Sequence, residues 1–192
     1  VDQFGLSLAQ PGIGPGGHCI PEDIHYVIQK AHSAGVDTNF LASAARLNDG
    51  MPAYAVESLE KILQADGRSL QDMKIGLAGL SYKPNVGDMR RSPAIEVAKI
   101  LHGKTTLLVH DPYIEDSIIQ DEVANVLIAS GIEELLEKVD VLFVASAHAA
   151  YLEYFSAKKL KKHNVRYVLD GRNCLDRDAI VAAGIVYRGI GQ

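Results

Sequence analysis

Among the residues able to do chemistry, a cysteine near the beginning of the sequence has the most informative surroundings. Cys19 lies in a glycine-rich stretch, residues 12–23, whose sequence is GIGPGGHCIPED. Pro21 suits the first turn of a helix, and the acidic residues after it are favoured there, so Cys19 is expected at a helix N-terminus. A thiol in that position can be a good nucleophile. Because free cysteines are often buried, an inert packed thiol is the alternative.

The two glycines before this cysteine indicate a close approach of the backbone. Gly16 and Gly17 carry no Cβ and can adopt positive φ angles, which lets the main chain come close to a ligand. The sequence therefore predicts an active-site loop over residues 1–20.

A second chemical signal is a basic run between a predicted strand and a predicted helix. Residues 81–93, SYKPNVGDMRRSP, contain the cations Lys83, Arg90 and Arg91. The run ends in a Ser-Pro pair, which is typical of a helix N-cap followed by its first residue. A helix N-terminus with several cations predicts an anion-binding site. The alternative is a basic loop that is simply solvated.

A third signal is an arginine at another predicted strand end. Arg172 lies in residues 170–173, DGRN, where Gly171 permits a tight turn. Arginine suits bidentate contacts to phosphate or carboxylate, so Arg172 is a candidate ligand-binding residue. The alternative is a local ion pair with Asp170 or Asp176.

Two further polar residues follow predicted strands. An acidic residue at a strand end can bind a nucleotide ribose, but the turn after the first strand reads GLAG and lacks the G-x-G-x-x-G pattern. Asp111 is therefore interpreted as a turn residue before Pro112. His148 is interpreted as a hydrogen-bonded loop histidine. The seven histidines show no metal-binding spacing, so no metal site is expected.

The elements that must position these residues form two blocks. Residues 21–66 have apolar positions at helical spacing and predict a central helical segment with a break near residues 49–52. Over residues 73–192, short apolar runs alternate with helical runs, which predicts an α/β domain with a Rossmann-like parallel sheet. The strands are expected at 74–80, 105–110, 139–145, 166–170 and 185–187, with an edge strand near 126–128, and the helices at 92–102, 132–137, 152–163 and 176–183.

Composition narrows the class of partner. The 192 residues carry a formal net charge of −5, which gives no reason to expect nucleic acid or an anionic membrane as partner. The two cysteines are far apart and indicate a reducing compartment, so a cytoplasmic location is expected. The sequence does not begin with Met and leads almost directly into the glycine-rich stretch, which suggests a fragment of a longer protein.

Four motifs, in this order, resemble the UDP-glucose/GDP-mannose dehydrogenase family. They are GGHCIP with Asp23, YKPN followed by DMR and SP, DGRN, and YRG near the end. The histidine at position 18 is most similar to members that oxidise UDP-N-acetylhexosamines such as UDP-N-acetylmannosamine, since UDP-glucose members more often have serine there. Arg91 departs from the family pattern, which often has Glu or a neutral residue.

The resemblance implies two Rossmann-like domains joined by a long helix through which the protein forms a homodimer. This sequence corresponds to the joining segment and the second domain. By the resemblance, NAD is bound mainly by the first domain, which also carries a catalytic lysine and asparagine and is absent here. The chain alone is therefore expected to bind UDP weakly and to show no turnover.

The resemblance also implies a reaction and roles for particular residues. A sugar C6 alcohol is oxidised twice to a uronic acid, through a thiohemiacetal and a thioester on Cys19, while Asp23 orients the hydrolytic water. Backbone N–H groups of the glycine turn would hold the developing oxyanion. The UDP-sugar is expected to contact Gly16, Gly17, Tyr82, Lys83 and Arg172, and Arg90 to reach the NAD.

Three other functions stay open from the sequence. The chain could be part of a UDP-glucose 6-dehydrogenase, or a non-catalytic module that binds UDP-sugars and dimerises. It could also be an independent nucleotide-binding protein that uses Asp111 at its own sheet edge, although the absent fingerprint disfavours this function.

Overall fold

The computed structural model describes residues 11–192, so the first half of the predicted active-site loop lies outside the described residues. The helices are α1 (Cys19–Ser33), α2 (Asn39–Asp49), α3 (Met51–Ala65), α4 (Pro93–Leu101), α5 (Asp116–Glu122), α6 (Ile132–Glu137), α7 (Ala149–Tyr154), α8 (Ala157–Lys162) and α9 (Arg177–Ala182). The strands are β1 (Lys74–Ala78), β2 (Thr106–His110), β3 (Leu127–Ile128), β4 (Val141–Val144), β5 (Tyr167–Asp170) and β6 (Val186–Gly189).

The strands form one parallel sheet in the order β3-β2-β1-β4-β5-β6. This order confirms the predicted α/β fold with a Rossmann-like sheet. It also fixes where a ligand can bind, because the chain changes direction across the sheet between β1 and β4. In open sheets of this kind, ligands bind beyond the carboxyl ends of the strands at that switch point.

The sheet is buried on both faces, as its apolar runs predict. Every described residue of β4 and β5 is buried, and side chains from β1, β2 and β4 share a core with α3 and α4. A second core on the other face is filled from α6, α7, α8 and α9. Helices therefore cover both faces, as a parallel sheet requires.

Two differences from the predicted elements have local causes. Helix α5 was not predicted, because the stretch from 114 to 128 has weak periodicity. The run expected to form a single helix over 152–163 is two helices, α7 and α8, separated at Phe155 and Ser156. Phe155 leaves the helical conformation, with φ −80° and ψ 53°, and its buried ring stacks on Tyr151. The edge strand near 126–128 is confirmed as β3.

The helical segment divides into an exposed part and a packed part. Helix α1 buries no residue and α2 buries only Ala45. Helix α3 instead packs on α4 and buries Ala55, Val56, Leu59 and Leu63 in the core of the sheet domain. The predicted break between these parts is confirmed at Gly50, which separates α2 from α3. No helix between residues 11 and 192 is long and apolar enough to cross a membrane.

Two leucines of the helical segment test this division. Leu59 in α3 is 0% exposed, whereas Leu47 in α2 is 70% exposed. We expect Leu59→Ala to lower the free energy of unfolding by about 2–5 kcal/mol, because it leaves a cavity in the core. Leu47→Ala should change it by less than about 0.5 kcal/mol. Urea denaturation of both variants measures the difference, and equal losses would contradict the packing described here.

Candidate active site

Cys19 is an exposed thiol at the first residue of α1. Its predicted place at a helix N-terminus is confirmed, although the helix begins earlier than expected and includes Cys19 and Ile20. The alternative of a buried, inert thiol is wrong for this cysteine. Asp23 lies one helical turn further along and is also exposed. The thiol and the carboxylate therefore share one end of the same helix.

The two glycines before Cys19 pack against a tyrosine. A Cβ on Gly16 would lie 2.5 Å from Tyr82 Cβ, and one on Gly17 would lie 2.8 Å from Tyr82 Cε2. Gly17 also has a φ of +85°, which favours glycine. The space that the missing side chains leave is therefore filled by Tyr82 in the conformation described, and the contact of Gly16 and Gly17 with a ligand stays a prediction.

The glycine loop is also hydrogen-bonded to the basic segment. The Gly17 N–H donates to the carbonyl of Arg90 at 2.9 Å. This N–H is therefore engaged in the conformation described, and the expectation that N–H groups of the glycine turn hold an oxyanion stays a prediction. The bond joins the segment before Cys19 to the turn that follows β1.

Two of the three cations in that turn are neutralised within the protein. Arg90 forms hydrogen bonds to both carboxylate oxygens of Asp88, which lower the pKa of Asp88, and Arg91 pairs with Glu22 in the first turn of α1. Lys83 is exposed and forms no ion pair with residues 11–192. The predicted three-cation site is corrected, since only Lys83 keeps an uncompensated charge.

The start of α4 agrees with its sequence signal. The Oγ of Ser92 accepts a hydrogen bond from the Ala94 N–H at 3.3 Å, and Pro93 is the first helical residue. The N-cap prediction is confirmed. Because this cap ends the turn that carries Lys83, the turn is fixed at its helical end.

Arg172 is a largely buried cation without a carboxylate partner among the described residues. Its Nε donates to the carbonyl of Ala145 at 2.8 Å, and its Nη2 lies 3.4 Å from the carbonyl of Tyr82. The predicted alternative of an ion pair with Asp170 or Asp176 is wrong. Burial lowers the pKa of Arg172, so a bound anion would stabilise its charge.

Asp170 instead serves the backbone around Arg172. This fully buried carboxylate accepts hydrogen bonds from the N–H groups of Arg172, Cys174 and Leu175 and from the hydroxyl of Tyr187. It therefore fixes the turn from which Arg172 projects. The DGRN motif pointed to Arg172 in the sequence, but it did not predict that Asp170 anchors the turn.

The second cysteine has the opposite environment to the first. Cys174 is partly buried, and its thiol contacts Asp170. Burial and the nearby carboxylate raise the pKa of Cys174 to about 12. Slow alkylation of Cys174 would follow from this burial alone, so Cys174 is not a suitable reference for the reactivity of Cys19.

Asp111 and His148 form a buried pair that the sequence did not reveal. The two side chains are joined at 3.1 Å between His148 Nε2 and Asp111 Oδ2. Burial by itself raises the pKa of Asp111, but hydrogen bonds from His148, Leu80 and Tyr113 outweigh it and lower the pKa. The turn prediction for Asp111 is confirmed, because its Oδ1 accepts from the Tyr113 N–H, and His148 is a hydrogen-bonded loop residue as interpreted.

The cleft beside Arg172 is the candidate site. It has a volume of about 460 Å³ and is lined by Arg172, by residues of the glycine loop and by α2 and α3. A larger cavity of about 580 Å³ lies between the 87–92 turn, α4 and α5. We place the site in the smaller cleft, because Arg172 and Ile20, the residue after Cys19, line it, whereas the larger cavity lacks Arg172 and its arginines pair with acidic residues. Residues 11–192 contain no cluster of His, Cys, Asp or Glu able to hold a metal ion.

A glycine pair tests the contact between the loop and Tyr82. Gly17 and Gly35 have similar positive φ angles, +85° and +70°, but a Cβ on Gly35 would meet nothing within 4 Å. Alanine at either position costs about 1–2 kcal/mol of backbone strain. We expect Gly17→Ala to lose about 1–3 kcal/mol more in urea denaturation, because it must displace Tyr82. Equal losses would show that Tyr82 moves without cost.

Two domain models of one protein family match this chain. Residues 76–177 match the model of the UDP binding domain of the UDP-glucose/GDP-mannose dehydrogenase family, and residues 1–50 match the central domain of the same family. Among curated relatives, a UDP-N-acetyl-D-mannosamine dehydrogenase of Pyrococcus horikoshii is 28% identical over 97% of this chain and 41% of its own length. A UDP-glucose 6-dehydrogenase of Bacillus subtilis is also 28% identical, over 99% of this chain and 42% of its own length.

The solved structures agree with the sequence matches. The structure of a UDP-D-ManNAc dehydrogenase from Pyrococcus horikoshii superposes with a TM-score of 0.80 at 26% identity, over 97% of this chain and 41% of that one. The chain thus spans about two fifths of the length of the relatives that it matches. By its matched domains and its fold, the chain belongs to the UDP-glucose/GDP-mannose dehydrogenase family.

Proposed function

We propose that this chain supplies the nucleophile and the UDP-sugar site of an NAD-dependent UDP-sugar 6-dehydrogenase. The observation that carries the proposal is a continuous set of contacts along one edge of the sheet. Gly17, two residues before Cys19, packs on Tyr82, and the carbonyl of Tyr82 lies 3.4 Å from Arg172 Nη2. These contacts support a single site that would combine the Cys19 thiol with two cations, Arg172 and Lys83, the residue after Tyr82.

The cations suit a diphosphate. Lys83 is exposed and Arg172 has no carboxylate partner among the described residues. Each can therefore donate a hydrogen bond to an anionic oxygen without breaking an ion pair of the protein. Arginine can contact two phosphate oxygens, while lysine acts as a point charge. We assign Lys83 a contact to the diphosphate and Arg172 a contact near the sugar end. Tyr82 would line the substrate site, together with Gly16 and Gly17, which pack against it.

The exposed thiol suits attack on an aldehyde. The thiolate of Cys19 would form a C–S bond to the sugar C6 aldehyde, and the carbonyl oxygen would take the electron pair and a proton. At the end of the reaction, water attacks the thioester carbon, the C–S bond breaks, and the thiol is regenerated with the carboxylic acid. Asp23 would orient that water, because its exposed carboxylate lies one turn from Cys19.

The sheet of this chain does not itself fit a dinucleotide. A Cβ on Gly76, within β1, would meet Leu135 and Val139, and one on Gly79, just after β1, would meet Ser146, so these glycines serve packing rather than a phosphate. We therefore assign the hydride acceptor to a part of the protein outside this sheet. Arg90, whose side chain is 69% exposed although Asp88 holds it, is the proposed contact to that cofactor.

Two finer points belong to the same proposal. We favour a UDP-N-acetylhexosamine such as UDP-N-acetylmannosamine as substrate because of His18, although the relatives named above carry mannosamine and glucose names at equal identity. We also propose a homodimer through the central helical segment of residues 21–66. Its support is the exposed apolar surface of α1 and α2, where Phe40 is 83% exposed.

The diphosphate contact can be tested by calorimetry with UDP. We expect Lys83→Ala to weaken UDP binding by about ten- to a hundredfold, because a charge-assisted hydrogen bond is worth about 1.5–3 kcal/mol. Lys158→Ala, which removes an exposed lysine of α8, should leave the affinity unchanged. Similar effects of both substitutions would indicate only a general dependence on charge.

A second candidate is a non-catalytic binding and dimerisation module, which the exposed apolar surface of α1 and α2 also supports. Alkylation by iodoacetamide at neutral pH distinguishes the two. The matched reference is Ser33→Cys in a Cys19→Ser background, which places a thiol at the opposite end of the same helix. As nucleophile, Cys19 should react about two- to tenfold faster, because the helix N-terminus favours negative charge and the C-terminus opposes it. Equal rates would favour the binding module.

A further inference from the structure

The turn that carries Tyr82 and Lys83 is held on both sides by one buried side-chain pair. We propose that Asp111 and His148 act as a positioning relay, which fixes the segment of residues 82–84 in the conformation that binds the diphosphate. The relay rests on the proposed UDP site and extends it to residues that touch no substrate.

On the side before Lys83, the anchor is the carboxylate of Asp111. Its Oδ2 accepts hydrogen bonds from the N–H groups of Leu80, at 2.7 Å, and Ser81, at 3.0 Å, and from the Ser81 hydroxyl at 3.1 Å. These bonds fix the backbone two residues before Lys83. Asp111 is only 6% exposed, so water does not compete strongly for this oxygen.

On the side after Lys83, the anchor is the imidazole of His148. Its Nδ1 accepts a hydrogen bond from the Asn85 N–H at 2.8 Å. Asn85 adopts a φ of +62°, and its Oδ1 accepts from the Ala149 N–H at 2.9 Å and from the Tyr113 hydroxyl at 3.3 Å. These bonds hold Asn85 in a left-handed conformation, which returns the chain toward α4.

The two anchors are coupled through the histidine ring. A backbone N–H can only donate, so Nδ1 of His148 must be unprotonated, and Nε2 carries the proton that it donates to Asp111. The ring is therefore neutral and its tautomer is set by its two partners. His148 is 0% exposed and lies between the rings of Tyr113 and Tyr151, with centroid distances of 4.9 Å and 5.2 Å. Its orientation is thus fixed by packing as well as by hydrogen bonds.

The residues between the anchors are the ones that need this support. Lys83 and Pro84 are exposed, and no core packing orders them. A flexible segment would lose conformational entropy on binding, which lowers affinity. Because the relay fixes both ends of the segment before the ligand arrives, it lowers that entropic cost.

Two amide substitutions separate the links of the relay. In His148→Asn, the side-chain oxygen can take the place of Nδ1 and still accept from Asn85. In His148→Gln, the amide nitrogen can take the place of Nε2 and still donate to Asp111, but the Asn85 N–H loses its acceptor. We expect His148→Gln to weaken UDP binding about tenfold, the effect of about 1.4 kcal/mol, and His148→Asn, which keeps the Asn85 bond but loses the bond to Asp111, to weaken it about two- to threefold.

A milder pair covers the case in which the histidine variants unfold. Tyr113→Phe removes only the hydroxyl that contacts Asn85, and we expect UDP binding to weaken about two- to threefold. Tyr167→Phe likewise removes one tyrosine hydroxyl hydrogen bond, in this case to the Asp66 carboxylate at 2.8 Å, at the opposite end of the sheet, and should leave the affinity unchanged.

The measurements are calorimetry with UDP, urea denaturation of each variant, and ¹⁵N chemical shifts of the His148 ring. A purely structural role predicts a lower free energy of unfolding for His148→Gln with unchanged UDP affinity, and that result would overturn the relay. A protonated Nδ1 in the wild-type chain would also overturn it. Failure of the wild-type chain to bind UDP, with the neutral tautomer observed, would instead overturn the proposed function on which the relay depends.

Discussion

Two buried carboxylates hold the loops on which the candidate site depends. Asp111 follows β2 and Asp170 ends β5, and each accepts hydrogen bonds from several backbone N–H groups. A buried carboxylate is costly unless such donors surround it, so each loop has one conformation that satisfies its acid. The segment of Tyr82 and Lys83 and the turn of Arg172 are positioned in this way.

The arginines near the candidate site differ in whether a carboxylate of the protein pairs with them. Arg90 pairs with Asp88, and Arg91 pairs with Glu22, so both cations stabilise the turn after β1. Arg172 binds only carbonyl oxygens among the described residues, and burial lowers its pKa, so a bound anion would stabilise its charge. These arginines therefore differ in their partners within the protein and not in their residue type.

The glycines before Cys19 have a packing role. Gly16 and Gly17 are required because Tyr82 packs directly against them, and this contact connects α1 to the sheet domain. The same contact brings the helix that begins with Cys19 beside the switch point of the sheet. The exposed α1 and α2 contrast with α3, which packs in the core, so Cys19 lies on a helix that buries no residue.

Much of the fold could be predicted from the sequence, because its signals are local. Alternating apolar and helical runs specify a parallel sheet, the Ser92-Pro93 pair specifies the start of α4, and Gly50 marks the break before α3. The split between α7 and α8 could not be predicted, because it depends on the packing of Phe155 against Tyr151.

The sequence by itself determined the fold class, the family motifs and the position of Cys19 at a helix N-terminus. Only the tertiary structure decided which polar groups are free. Asp111 and His148 are 37 residues apart, and their pairing exists because β2 and β4 end at the same edge of one sheet. The pairing of Arg91 with Glu22, and the lack of a carboxylate partner for Arg172 among residues 11–192, arise in the same way. Hydrogen-bond and ion-pair partners distant in sequence are set by strand order, which no local pattern records.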